Sequence, residues 1–194
     1  MIYLKQNYSN NERTKLNNNN QTINDKAKKI KLIVSDVDGV LTKGELFFDQ
    51  NGEEPFGKFN IYDGFAFIIA HDCGLQTAII SGRHSLCTEK RFSRLGCNEV
   101  HTGILHKKTK LKEVVNRLGL KFEEVAFIGD DLIDLPAMKL VGLTIAPKNA
   151  IAEVINFVDY VTNTEGGVGV FREVVELILN AQSKYVDYVN QFLK

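Results

Sequence analysis

Short apolar segments alternate with helical patterns along most of this chain, and this alternation constrains the fold more than any other feature. The apolar segments predict strands at Lys31–Ser35, Gln76–Ile80, Glu99–His101, Val125–Ile128, Leu143–Ile145 and Asp159–Val161. The helical patterns predict helices near Gly64–Asp72, Ser85–Leu95, Lys108–Leu118, Leu132–Val141, Ala150–Asn156 and Val168–Asn180. Such alternation is typical of a parallel sheet covered by helices on both faces. We therefore predict an α/β fold with a Rossmann-like parallel sheet.

The two ends of the chain differ from this central pattern. Residues 1–28 are rich in Asn, Lys and Gln, and they include the run Asn17–Asn20. A segment with so few apolar residues cannot offset the entropy lost on ordering, so we predict a disordered extension over 1–28. A single domain is expected over 29–182. Apolar residues at helical spacing predict a helical tail over 183–194.

One segment after the first strand breaks the alternation. Gly44–Glu53 contains the turn dipeptide Asn51-Gly52, and the apolar segment Phe56–Ile61 follows it. An Asn-Gly pair between apolar segments is a strong signal for a β-hairpin. We predict that a hairpin projects from the domain here, carrying several phenylalanines that need a cover to leave water.

Composition excludes several classes of function. The 194 residues have a formal net charge of zero, so charge gives no basis for binding nucleic acid or an acidic membrane. No apolar run approaches the roughly 18 residues of a membrane span, and no signal core follows Met1–Lys5. The three cysteines form no CxxC pair, which favours reduced thiols. We predict a cytoplasmic protein with neither nucleic acid nor membrane as a partner.

The first predicted strand ends in two carboxylates, Asp36 and Asp38, with Gly39 after them. Open α/β sheets bind their ligands at the carboxyl ends of the strands. Two acids there suit covalent work on phosphate, in which one attacks and the other handles the proton of the leaving group, and they also suit Mg²⁺. A calcium loop is the alternative, but it needs Asp or Asn and then Gly where this chain has Val40 and Leu41.

Polar side chains also follow the next strands of the predicted sheet. The Ser81 hydroxyl and the backbone N–H groups of Gly82 and Arg83 would suit a phosphoryl oxygen, although a Ser-Gly turn with a surface arginine is also common. Lys107 begins a helix, where a cation opposes the helix dipole, and this position makes a ligand role more plausible. Four neighbouring cations or potential cations, however, are usual on a solvated face.

Three acids lie close together after the Val125–Ile128 strand. Asp131 and Asp134 are explained equally well as acids in the first turn of a helix, whereas Asp130 stands directly at the strand end. Clustered acids repel one another unless a cation joins them, and magnesium together with a lysine would supply that charge.

Together these motifs resemble those of the haloacid dehalogenase-like phosphatases, and more narrowly those of the 3-deoxy-D-manno-octulosonate 8-phosphate (Kdo-8-phosphate) phosphatase family. The resemblance covers about Lys31 to Leu179. It rests on the following motifs: Asp36-x-Asp38-Gly39-Val40-Leu41-Thr42, Asp63-Gly64, Ile80-Ser81-Gly82-Arg83, Lys107, Gly129-Asp130-Asp131-Leu132-x-Asp134-Leu135-Pro136 and Gly166-Gly167-x-Gly169-x-x-Arg172-Glu173.

The resemblance implies a role for each site residue. Asp36 would attack phosphorus to form an aspartyl-phosphate, and Asp38 would protonate the leaving oxygen and then activate water. Ser81, Gly82 and Lys107 would hold the phosphoryl group; the spacing from Gly103 favours Lys107, and a shift of one residue in matching the motif would put Lys108 there instead. The magnesium ligands would be Asp36, the backbone carbonyl of Asp38 and Asp130. The surroundings of this ion would be shaped by Asp131 and Asp134.

The resemblance also implies the assembly and the substrate. Neither the gap from Asp36 to Ser81 nor that from Ser81 to Lys107 has room for a cap domain, so the fold is expected to be capless. Members of this family are similar in being homotetramers, and we expect the hairpin at a subunit contact with a neighbour closing the site. The substrate would be an acidic sugar phosphate, with Arg83 as a partner for its carboxylate.

The sugar and two other classes of function stay open at this point. The family often has an arginine where this chain has Tyr62, so a nonulosonate 9-phosphate is an alternative substrate. A signalling receiver domain also uses acids, magnesium and a lysine, but its phosphorylated Asp follows the third strand. A non-catalytic oligomerisation module is the other alternative, against which the intact motifs argue.

Overall fold

A computed structural model describes residues 21–194 and shows one six-stranded sheet. Its strands are β1 (Leu32–Ser35), β2 (Gln76–Ile80), β3 (Glu99–His101), β4 (Val125–Ile128), β5 (Leu143–Ala146) and β6 (Tyr160–Val161). The spatial order is β3-β2-β1-β4-β5-β6, and every neighbouring pair is parallel. The predicted α/β class is confirmed. Because the strand order reverses beside β1, a crevice forms at the carboxyl ends of β1 and β4, as in other doubly wound folds.

Seven helices connect or follow these strands in the part of the chain after residue 30. They are α1 (Ile61–Asp72), α2 (Leu86–Arg94), α3 (Lys107–Arg117), α4 (Leu135–Met138), α5 (Ala152–Ile155), α6 (Val170–Ala181) and α7 (Tyr185–Asn190), and a 3₁₀ turn covers Phe122–Glu124. The helix predicted at Leu132–Val141 is shorter than expected. Its first residues form a turn in which Asp134 N–H donates to the Asp131 carbonyl, so the helix begins only at Leu135.

Hydrophobic side chains cover both faces of the sheet. On one face α1 and α6 pack together, with the rings of Phe67 and Phe171 stacked at 3.9 Å between centroids. On the other face Leu111 and Val114 of α3 pack against the sheet. Burial of each such side chain contributes about 1.5–3 kcal/mol, so the two layers hold the strands in register. No helix in residues 21–194 is both long and apolar enough to cross a membrane.

The structure differs from the extension predicted for residues 1–28 over its last part. Residues 21–27 are helical, and Ala27 is fully buried in the core. The Gln182 amide donates to the carbonyl of Ile30 at 2.7 Å, which attaches this segment to the end of α6. One buried alanine and a few hydrogen bonds to the body order a segment whose composition alone favours disorder. Residues 1–20 of the predicted extension lie outside the described residues.

The predicted β-hairpin is present only as a turn. Asp49 N–H donates to the Glu53 carbonyl at 2.9 Å, and the rings of Phe47 and Phe56 stack at 5.3 Å. No strand is formed over residues 44–60, which we call the 44–60 loop. Two short segments without a third strand gain too little stabilisation from cross-strand hydrogen bonds and packing to form a stable β-ladder in water. This explains why the hairpin is absent.

The tail forms α7 and packs on the domain. Tyr188 is buried, and its hydroxyl donates to Asp72 Oδ2 at 3.2 Å. The Tyr185 hydroxyl accepts a hydrogen bond from Arg172 at 2.7 Å. These contacts join the tail to α1 and α6.

Asp63 is a buried carboxylate between α1 and the start of α6. It is 1% exposed, and Oδ1 accepts from the backbone N–H of Arg172 at 3.0 Å, whereas Oδ2 has no hydrogen-bond partner in residues 21–194. Burial raises the pKa of Asp63 to about 6, although hydrogen bonds from the backbone of α6 oppose the rise. Asp63 therefore anchors the amino end of α6 at an electrostatic cost.

This cost predicts a pH-dependent stability. Because the pKa of Asp63 is higher in the folded state, about 6, than in the unfolded chain, about 3.8, the native state binds more protons between these values. The contribution of Asp63 to the free energy of unfolding is full below about pH 4 and falls as the pH rises through 6. Asp63→Asn removes this titration, so the stability of the variant relative to wild type should rise by roughly 2–3 kcal/mol from pH 4 to pH 7.

Urea unfolding at a series of pH values measures this difference. Asp187→Asn, which changes an exposed carboxylate on α7, serves as the control and should show a nearly constant difference. A constant difference for Asp63→Asn as well would contradict the assignment.

Candidate active site

The first carboxylate of the site, Asp36, extends directly from β1. Its backbone N–H donates to the Ile128 carbonyl of β4 at 2.9 Å, so the residue is fixed by the two central strands. The chain then turns tightly, because the N–H groups of Leu41 and Thr42 both donate to the Val37 carbonyl. This turn holds the Asp36 side chain at the carboxyl edge of the sheet, only 5% exposed.

A buried lysine joins Asp36 to a second carboxylate. Lys107 is 1% exposed, and its Nζ lies 2.8 Å from Asp36 Oδ2 and 2.7 Å from Asp134 Oδ1. Burial alone would lower the pKa of Lys107, but the attraction of the two carboxylates outweighs it, and the pKa is raised. The lysine therefore stays charged, and the structure places Lys107 rather than the exposed Lys108 in the site.

Asp134 connects Lys107 to the loop after β4, because both of its carboxylate oxygens accept hydrogen bonds. Oδ1 accepts from Lys107, and Oδ2 accepts from the backbone N–H groups of Asp130 and Asp131 at 3.1 and 3.3 Å. The carboxylate is fully buried and shapes the loop that carries Asp130. The exposed Asp131 accepts from Leu132 N–H at 2.6 Å, which makes it part of the same loop.

Asp36 and Asp130 have the properties of a site for a divalent cation. Oxygens of Asp36, Asp130 and Asp134 lie within 4.8 Å of one another. Burial raises the pKa of Asp36 to about 7, with repulsion from Asp134 adding to it and Lys107 opposing it. The pKa of Asp130 is likewise about 7, because of burial and then of its carboxylate neighbours. A divalent cation at these two carboxylates would relieve the repulsion. Asp134 is a less suitable ligand, because both of its oxygens already accept hydrogen bonds.

The second acid of the motif, Asp38, is held by an arginine. Arg83 Nε and Nη2 donate to the two Asp38 oxygens at 2.8 and 3.1 Å, and Nη1 donates to Glu54 of the 44–60 loop. Two carboxylates thus share one guanidinium, and the group of three carries a net negative charge. In this structure Arg83 positions Asp38 rather than offering a free cation.

Ser81 and Gly82 lie at the end of β2, beside this pair. Ser81 is 2% exposed, and its carbonyl accepts from Ile104 N–H at 2.9 Å. Gly103 N–H and the Ser81 hydroxyl both donate to the Arg83 carbonyl, at 3.0 and 3.3 Å, and these hydrogen bonds help to hold the Ser81–Arg83 turn in place. Gly82 lines the same cavity as Asp36, Asp38 and Asp130.

A cavity of about 410 Å³ opens over the carboxylates. Its walls include Asp36, Asp38, Gly82, Arg83, Asp130 and Asp131, and also Lys43, Leu105, Ile133 and Asn149. All the site residues predicted from the sequence therefore lie at one edge of the sheet. Sequence reasoning missed Lys43, Glu54 and Asn149. Asn149 follows β5, so the strand-end argument applied to the other strands would have found it.

Comparisons with known proteins agree with this site. The sequence model of the haloacid dehalogenase-like hydrolases matches residues 2–174. The 3-deoxy-D-manno-octulosonate 8-phosphate phosphatase of Haemophilus influenzae is 40% identical over 171 residues, which are 87% of this chain and 94% of that enzyme.

Two solved structures are similar as well. The phosphatase of this name from Moraxella catarrhalis, in complex with a magnesium ion, a phosphate ion and Kdo, is 36% identical with a TM-score of 0.84, covering 88% of this chain and 97% of its own. The cobalt-bound enzyme of H. influenzae is 40% identical with a TM-score of 0.82, covering 87% of this chain and 99% of its own.

The fold, the site and these comparisons define the class: the chain belongs to the haloacid dehalogenase-like hydrolases. Within that family it is a phosphoric monoester hydrolase of the Kdo-8-phosphate phosphatase type. The receiver domain and the non-catalytic module are thereby set aside. Relatives of this chain bind a divalent metal, as the magnesium and cobalt complexes show.

Gly39 gives a test of how tightly the site is built. Its φ is +82°, and a Cβ there would lie 1.9 Å from Asp130 Oδ2. In Gly39→Ala the Asp130 carboxylate must therefore move, and backbone strain costs about 1–2 kcal/mol. We expect Mg²⁺ affinity, measured by titration calorimetry, to fall by about tenfold or more.

Gly74→Ala is a matched control for the strain alone. Its φ is +79°, but no atom lies within 4 Å of the added Cβ. This variant should lose similar stability and keep its Mg²⁺ affinity. Equal affinities for the two variants would show that Gly39 does not position Asp130.

Proposed function

We propose that the protein hydrolyses Kdo-8-phosphate to Kdo and phosphate with Mg²⁺, in lipopolysaccharide precursor synthesis in the cytoplasm. The observation that carries the proposal is the buried carboxylate of Asp36, held 2.8 Å from a buried lysine at the edge of the sheet. The support for the substrate is that the relative covering most of this chain at 40% identity is a phosphatase of that name.

In the proposed reaction Asp36 is the nucleophile. One of its oxygens forms a bond to phosphorus while the bond from phosphorus to the sugar oxygen breaks, which leaves an aspartyl-phosphate. Lys107 opposes the rise in the pKa of Asp36 that burial causes, and it balances the charge of the phosphoryl oxygens. Asp36, the Asp38 carbonyl and Asp130 would hold Mg²⁺, which when bound supplies positive charge for the phosphoryl group.

Asp38 is the proposed general acid and then the general base. It would give its proton to the departing sugar oxygen and later take one from the water that hydrolyses the intermediate. In the structure both Asp38 oxygens accept hydrogen bonds from Arg83. For this role the pair must loosen when substrate enters, and the exposed side of Asp38 toward the cavity permits such a movement.

The phosphoryl group is proposed to sit between Ser81, Gly82 and Lys107. Ser81 offers a hydroxyl, and the turn after β2 offers backbone N–H groups to phosphate oxygens. The predicted role of Arg83 in binding the substrate carboxylate remains a prediction, and it would require the guanidinium to release Asp38 or Glu54.

A homotetramer in which a neighbouring subunit closes the site is part of the proposal. Large apolar side chains are exposed on the cavity wall, where Leu105 is 74% exposed, and on the 44–60 loop, where Phe48 and Phe56 are 61% and 57% exposed. A capless site stays open in a single chain, and a neighbouring 44–60 loop would cover it while removing this apolar surface from water.

The substrate is tested by magnesium-dependent phosphate release from purified protein. Kdo-8-phosphate and a nonulosonate 9-phosphate are compared at matched concentrations. Preference for the eight-carbon sugar supports the proposal. Preference for the nine-carbon sugar would keep the mechanism and change the pathway. This alternative has some support, because the exposed position 62 carries tyrosine instead of a cation.

The covalent role of Asp36 is tested by Asp36→Asn. An amide keeps the shape of the side chain but is a poor nucleophile, so turnover should fall by at least about 10³-fold. Thermal unfolding and light scattering should show an intact fold and an unchanged oligomer. Asp187→Asn on the exposed face of α7 is the control with the same chemical change. Substantial residual activity in Asp36→Asn would exclude the covalent mechanism.

A further inference from the structure

Among the residues 21–194, Lys43 is the exposed cation on the wall of the cavity above the carboxylates that has no ion-pair partner. Lys43 and Arg83 are the two cations among the residues that line it, while Lys107 lies beneath the floor, paired with Asp36. Arg83 is already bound to Asp38 and Glu54. Lys43 makes no ion pair and no side-chain hydrogen bond with any residue in the 21–194 range. A second anionic group on a substrate would therefore find its positive partner at Lys43.

The backbone of Lys43 is fixed relative to the catalytic turn. Thr42 N–H donates to the Val37 carbonyl at 3.0 Å, and Gly44 N–H donates to the Thr42 hydroxyl at 3.1 Å. The residue thus begins from the same hydrogen-bonded turn that carries Asp38. The distance of its backbone from the reacting groups is therefore set within the turn, independently of the 44–60 loop.

The aliphatic part of the Lys43 side chain packs against Gly167. Gly167 N–H donates to the Val40 carbonyl at 2.9 Å, and its φ is +72°. A Cβ on Gly167 would lie 2.7 Å from Lys43 N and 3.0 Å from Lys43 Cγ, so only glycine leaves room for the lysine stem. The stem packs here while the ammonium group extends freely, as is usual for lysines at the edge of a site.

Lys43 also stands where two cavities meet. It lines the 410 Å³ cavity with the carboxylates and a smaller cavity walled by Phe47, Phe56 and Arg83. A substrate whose phosphate lies at Asp36 would extend past Lys43 toward the 44–60 loop. This is the direction in which the rest of a sugar chain would lie.

We propose that Lys43 determines specificity for acidic sugar phosphates by binding the carboxylate of the substrate through its ammonium group. The inference rests on the proposed function for the class of substrate, and it assigns the carboxylate to a residue other than Arg83. The pairing joins opposite charges at the wall of the cavity, and it does not require the guanidinium of Arg83, which already contacts Asp38 and Glu54.

The test compares two substrates in wild type and in variants at Lys43. Kdo-8-phosphate carries a carboxylate, and ribose 5-phosphate does not. For Lys43→Gln we expect KM for Kdo-8-phosphate to rise roughly tenfold with kcat little changed, because the lost contact binds ground state and transition state alike. The kinetics with ribose 5-phosphate should stay the same. Lys43→Arg should restore KM to within about threefold, as it keeps the charge.

Lys148→Gln is the matched control, because it removes an exposed lysine at the same edge of the sheet that does not line the cavity. It should leave both substrates unaffected. If Lys43→Gln weakens both substrates equally, or neither, the inference is overturned while the proposed function stands.

The proposed function fails separately if wild type prefers neither acidic sugar over ribose 5-phosphate, and the role of Lys43 falls with it. If wild type instead prefers a nonulosonate 9-phosphate, the same variants are compared with that substrate. It also carries a carboxylate, so the tenfold rise in KM is still expected, and its absence would refute the role of Lys43.

Discussion

The ion-pair cluster of Asp36, Lys107 and Asp134 is the interaction on which the site depends. It joins three segments that are distant in sequence, namely the end of β1, the start of α3 and the loop after β4. Burying such charges is costly, and removing the lysine would leave two buried carboxylates without their counter-charge, at a cost of several kcal/mol. The cluster therefore does little for stability by itself. Its value lies in holding the nucleophile at a fixed place beside a positive charge.

The same cluster explains why the site needs a further cation. Lys107 supplies one positive charge to Asp36 and Asp134, and Asp130 adds a third carboxylate nearby. Burial, with a smaller contribution from neighbouring carboxylates, raises the pKa values of Asp36 and Asp130 to about 7. A divalent cation bound there would restore the balance. Asp130 lies so close to Gly39 that an added Cβ would come within 1.9 Å of Asp130 Oδ2, so packing against this glycine limits where the carboxylate can lie.

Around this centre, loop residues that remain partly exposed form the walls of the cavity. Arg83 and Glu54 connect the catalytic turn to the 44–60 loop, and Lys43 extends from the turn between two cavities. The loop itself forms no ladder, and its phenylalanines remain exposed. The chemistry is therefore placed by the sheet, whereas selection of the sugar falls to residues at the rim.

The parallel sheet and most of the site can be predicted from the sequence. Apolar runs mark the strands, and ligands of such folds bind at the carboxyl ends of the strands, which predicts one edge of the sheet as the place of Asp36, Ser81, Lys107 and Asp130. This reasoning works because a polar residue directly after a buried strand is fixed by the strand itself. The choice between Lys107 and Lys108 needed the packing of α3, which buries one and exposes the other.

The contacts made by loops and chain ends, in contrast, depend on how distant segments pack against one another. The helix at residues 21–27 is ordered by the core into which Ala27 packs, and no local pattern predicts that contact. The partners of Arg83 depend on where the 44–60 loop folds back, so Glu54 carries no signal in the sequence. The free charge of Lys43 likewise follows from which carboxylates are already taken. These features arise from long-range packing, and local spacing along the chain does not encode them.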